Sequence, residues 1–61
     1  MTNYEHKGYV LVKKGRTLTL CLFSENAEEL EEFIGKNMMV IPCYEKDGKE
    51  YVELDGSFIS L

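Results

Sequence analysis

The sequence predicts a small α+β domain: an antiparallel sheet of four to five strands with one helix packed on one face, in the order ββαββ, with a short final strand as an optional addition. Three observations carry that expectation. Residues 17 to 23 alternate strictly, with Leu18, Leu20 and Leu22 on one side and Thr17, Thr19, Cys21 and Phe23 on the other, the period of a half-buried strand. Residues 24 to 36, SENAEELEEFIGK, set Ala27, Leu30, Phe33 and Ile34 at spacings of three and four, the stripe of an amphipathic helix. Asp47-Gly48 stands between two strand-like runs and is the strongest short hairpin signal in the chain. The alternative arrangement is a small, partly open β-barrel with one helix at an end.

From the N-terminus, residues 1 to 7 are polar and read as a flexible lead-in. Tyr9 to Val12 are branched and aromatic, which suits a strand. Lys13-Lys14-Gly15-Arg16 interrupts the apolar pattern and turns the chain into the alternating segment, whose leucine side is expected to receive the helix stripe. In the helix, Asn26 is the expected N-cap, with Ser24 as a second candidate and Glu29 three residues on, where a capping-box partner belongs. Gly35 is the expected left-handed stop, with Lys36 beside the last carbonyls. Met38 to Tyr44 is apolar throughout, as a strand covered on both faces would be, although Pro42 lacks a ladder donor and argues for a bend or an edge near it. Tyr51 to Leu54 returns as a strand, Asp55-Gly56 turns again, and Ser57 to Leu61 can add the last short strand.

The 61 residues read as a single small domain, and a chain of that length buries only about 60% of the surface its unfolded form exposes. A dimer or a stable partner would add buried area. The apolar surplus available for it is Met38, Met39, Phe58 and Ile59, with the Cys21 and Phe23 side of the second strand.

Charge is unevenly distributed. The net charge is -4, and five of the eleven acidic residues, Glu25, Glu28, Glu29, Glu31 and Glu32, fall in the helical stretch with no lysine or arginine among them. Glu25 with Glu29 and Glu28 with Glu32 are like-charge neighbours one turn apart, each costing about 0.2 to 0.5 kcal/mol. Before the helix, Lys7, Lys13, Lys14 and Arg16 oppose Glu5 alone. The acidic balance argues against nonspecific nucleic-acid binding by the chain as a whole, because lysine and arginine on phosphates supply most of that affinity.

Catalysis has little to draw on. His6 is the single histidine and has no serine or cysteine at a recognisable motif spacing. Cys21, Cys43 and His6 stand at spacings unrelated to a zinc site, and no phosphate-binding glycine loop is present, so no cofactor or metal is expected. The two cysteines read as small buried apolar residues in a reducing compartment, not as a disulfide. No signal peptide is evident in MTNYEHKG, and no apolar run approaches the roughly 20 residues of a membrane span, which together suggest a cytoplasmic protein.

These observations rank three functions, none of them enzymatic. First is a protein-binding module whose partner-binding residues are Glu25, Glu28, Glu29, Glu31 and Glu32. It would compete for a basic, nucleic-acid-binding surface of a target protein, as a small phage or mobile-element inhibitor or DNA mimic does. Second is a barrel-like nucleic-acid-binding domain using the Lys13, Lys14 and Arg16 tip, with Tyr9 or Tyr44 nearby to stack on a base. Third is a structural homodimer assembled through the sheet face the helix leaves open.

Overall fold

In a computed structural model that describes residues 3 to 61, the chain forms five strands and one helix: β1 (Glu5–Lys14), β2 (Leu18–Ser24), α1 (Ala27–Glu31), β3 (Met38–Lys46), β4 (Lys49–Leu54) and β5 (Ser57–Ser60). The strands make one antiparallel sheet in the order β2-β1-β3-β4-β5, open at both edges rather than closed into a barrel. Because β2 and β3 both pair antiparallel with β1, they run parallel to each other, and the α1 connection has to cross β1 to join them. Residues 5 to 7, part of the expected flexible lead-in, belong to β1, where Lys7 reaches the carboxylates of Glu5 and Glu45. The first two residues of that lead-in lie outside the described residues.

The core lies on one face of the sheet, called here the inner face. Val10 and Val12 of β1, Ile41 and Cys43 of β3 and Val52 of β4 form its buried cluster, with Leu18, Met39 and Leu54 packed around them. Leu11 and Leu30, also buried, stand outside that cluster. Side-chain alternation turns Leu11 to the opposite, outer face; α1 packs against β1 and β2, and Leu30 is its buried residue.

The leucine pattern of β2 does not survive as one face. A register shift opposite Leu11 and Val12 inserts Cys21 as an extra residue, so Leu22 pairs with Leu11 while Leu20 pairs with Val12. Cross-strand partners share a face, so the bulge sends Leu22 to the helix side and leaves Leu18, Leu20 and Phe23 on the inner side. Cys21, expected to be buried, is exposed there, and Cys43 is buried; both are free thiols.

The helix is shorter than its stripe predicts. Asn26 caps it as expected, its side chain accepting from the Glu28 amide at 3.1 Å. Ser24 Oγ accepts from the Asn26 amide and donates to Glu29, so Glu29 closes the cap through a hydroxyl rather than through a backbone amide. After Glu31 the chain tightens: Phe33 N–H donates to Leu30 and Ile34 N–H to Glu31, bonds of three-residue reach. That tightening rotates the last two apolar positions off the stripe, and Phe33 and Ile34 are 58% and 44% exposed where Leu30 is 3% exposed. The left-handed residue is Asn37 at φ 63°, not Gly35, and its carbonyl accepts from the Lys14 amide at 2.7 Å as β3 begins.

β3 is an interior strand despite Pro42. Its ladder to β4 begins at Cys43, the residue after the proline, so the missing donor falls where pairing on that side stops. Asp47-Gly48 and Asp55-Gly56 both have positive φ at each residue, 51° and 78°, 52° and 81°, the two-residue turn whose twist suits the hairpins they close.

Candidate protein-binding surface

The connection between β2 and β3 presents Glu25, Glu28, Glu29, Glu31 and Glu32 to solvent. Among the described residues, none of the five enters an ion pair. One turn of helix and its flanks therefore hold five carboxylates whose only observed side-chain bond is that of Ser24 to Glu29. The geometric reason is local: Asn26 fixes the start, Leu30 is the buried residue of the turn, and Glu28, Glu29 and Glu31 take the exposed positions of the helix.

On the inner face, beside β2, the sheet leaves a groove of about 460 Å³. Its apolar lining includes Val10, Leu20, Phe23, Cys43 and Leu61, with Cys21 among them. Its charged lining is Glu25, Glu45 and Glu50 against Lys7. Register explains the acidity: Glu5 pairs with Glu45 and Glu45 with Glu50, which sets three carboxylates abreast across β1, β3 and β4. Lys7 Nζ stands 3.7 Å from Glu5 and 3.6 Å from Glu45, and no ion pair reaches Glu50 among the described residues. Beside this row, burial and then the Glu50 charge push the Cys43 thiol above its ordinary pKa. Glu25 joins the groove to the helical carboxylates, so ridge and groove form one acidic surface with an apolar floor.

The basic tip is exposed at Lys13, Lys14 and Arg16; of the two tyrosines expected near it, Tyr9 stands four residues before Lys13 in the middle of β1, and Tyr44 lies at the far end of that strand. Tyr44 pairs with His6, eight residues before Lys14, or about 26 Å along a strand. What gathers instead is an outer-face aromatic cluster that the sequence reading missed. Tyr4 stacks on Phe58 at 3.8 Å between ring centroids, Tyr51 and Tyr44 meet Tyr4 edge-on, and His6 lies against Tyr9 and Tyr44. Lys46 Nζ sits 4.8 Å over the Tyr4 ring, and Tyr44 Oη donates to Glu53 at 3.2 Å. Burial first, then the Glu53 carboxylate, raise the Tyr44 pKa. The rings cover each other, as a second small core would. Alternation in β3 and β4 carried the signal, since Tyr44 and Tyr51 occupy directly opposed positions.

No group of three or more metal-ligating side chains occurs among the described residues. No described helix is long and apolar enough to cross a membrane. Comparison with protein-family models, curated proteins and solved structures gives no match.

Proposed function

We propose that this chain is a non-enzymatic protein-binding module that captures a basic partner through its carboxylate surface. The observation that carries the reading is the set of exposed glutamates at 25, 28, 29, 31 and 32, none ion-paired among the described residues. Holding like charges this close opposes folding, and a cationic partner removes that opposition. A field of one sign also steers a complementary partner, raising its association rate by about 10- to 1000-fold at low salt. The partner class that fits is a protein whose own basic surface binds nucleic acid. Competition for that surface is inhibition, in the manner of a small phage or mobile-element protein that imitates DNA.

The test is charge reversal at Glu28, Glu29 and Glu32 to lysine in a tagged chain used for capture from its native cell. The triple variant should lose the co-purifying basic protein while its circular dichroism stays that of the parent, and capture by the parent should weaken with added salt. Undiminished capture by the variant would remove the ridge from the function.

A further inference from the structure

The inner-face groove and the free edge of β2 open onto each other. β2 is an outer strand, so one side of its backbone has no ladder partner in the sheet. Leu20 and Phe23 stand on the groove at 45% and 56% exposure, too apolar a pair for a surface that only water covers. Leu61, just beyond β5, lines the same groove, so residues from both outer ends of the sheet border one opening.

We propose that this opening takes an extended segment of a partner protein in which apolar and basic residues alternate, laid along β2 as an additional strand. The inference rests on the reading above that the partner is basic. Its form follows from strand geometry. Side chains of an added strand point alternately to the two faces, so every second one enters the apolar groove over Leu20 and Phe23. The others turn to the outer face, where Ser24 and the Glu29 bonded to it begin the carboxylate ridge. Glu25, which follows the end of β2 and also lines the groove, has no ion pair among the described residues and offers a carboxylate to a basic side chain at that end of the segment. Charge also selects against the other occupants. A nucleic acid would bring phosphates to these carboxylates, and a second copy of the chain would bring the same carboxylates to the same rim.

The experiment titrates the capped heptapeptide KVRVKVR into the full 15N-labelled chain, with EVEVEVE as the control. Binding of KVRVKVR should shift the amides of residues 18 to 24, and EVEVEVE should shift none of them. Leu20→Ser with Phe23→Ser should weaken KVRVKVR at least tenfold, and Leu20→Ser alone, which keeps the Phe23 ring in place, should weaken it in the same direction. Equal binding of both peptides, or binding of KVRVKVR unchanged by either groove variant, overturns the inference. If the groove variants have no effect while reversal of Glu28, Glu29 and Glu32 abolishes binding, the groove inference falls and the ridge reading stands. If the groove variants abolish binding and the ridge reversal has no effect, the added strand is supported and the ridge reading falls. Self-association of the free chain that Leu20→Ser disperses would place a second copy in the groove and overturn the proposal.

Discussion

The Phe23 ring lies over the bare α-carbon of Gly8: a Cβ at residue 8 would stand 2.9 Å from Cζ of the ring and 2.8 Å from the carbonyl oxygen of Ser24. The contact is a consequence of register. β1 shifts between His6 and Gly8 and again opposite Cys21, and the two irregularities bring the end of β2 close across a position that only glycine leaves open. The ring forms one wall of the groove, so its support belongs to the backbone of β1.

Gly8→Ala should therefore destabilise the chain by about 1 to 3 kcal/mol, the range for overpacking at a site that cannot relax. A ring can swing aside, but the Ser24 carbonyl is backbone and moves only if the strand ends part. Urea unfolding followed by circular dichroism reads the loss. A midpoint equal to that of the parent would mean that β1 and β2 are not in this close contact.

The short helix separates two leucine-like positions that look equivalent in sequence. Leu30→Ala empties a buried site and should cost about 2 to 5 kcal/mol, whereas Phe33→Ala, at a side chain 58% exposed, should stay within about 0.5 kcal/mol. Thermal melts distinguish them, since a domain of this size moves by about 4 to 8 °C for each kcal/mol. Comparable losses at the two positions would restore the longer helix.

This contrast shows where the sequence was legible. Turns were readable because Asp-Gly pairs have a specific backbone need, and both hairpins follow it. Strands were readable from branched and alternating residues. The N-cap was readable from Asn26, whose side chain accepts the amide bond that its chemistry suggests. The helix end was not, because apolar spacing cannot tell a continuing α-turn from a tightened one, and the tightening is set by where β3 has to begin beside β1. The bulge at Cys21 was hidden for a related reason: perfect alternation in one strand says nothing of an irregularity in its pairing. The carboxylate ridge needed only charge and exposure to be anticipated. The groove needed register, and so did the row of Glu5, Glu45 and Glu50.

The two thiols should differ sharply in reactivity. Cys21 is exposed at the bulge and borders the groove, while burial and then the Glu50 charge raise the pKa of the Cys43 thiol. Thiolate is the reacting form, so an aromatic disulfide reagent at neutral pH should modify Cys21 first and reach Cys43 only after denaturant is added. A thiol whose folded pKa lies above its unfolded value contributes stability that is full below the unfolded value and declines as pH rises through the folded one. Modification of Cys43 in the folded chain as fast as that of Cys21 would contradict its burial.

The three carboxylates abreast make a final prediction with opposite signs for folding and binding. Glu45 lies between Glu5 and Glu50, and Lys7 reaches Glu5 and Glu45, so Glu50 is the carboxylate of the row left without an ion pair among the described residues. Directly opposed like charges destabilise a sheet, and converting such a pair to opposite charges contributes about 0.2 to 1 kcal/mol. Glu50→Lys should thus raise the unfolding midpoint, and the gain should shrink in high salt, where surface charges are screened over about 3 Å at 1 M. The same substitution puts a cation on the groove lining, where it should weaken capture of a basic segment even though the fold has become more stable. A variant that is stabler and binds less well would identify the carboxylate row as a feature kept for a partner. Stabilisation without any loss of binding would assign the row to the fold's background charge and leave the ridge alone to meet the partner.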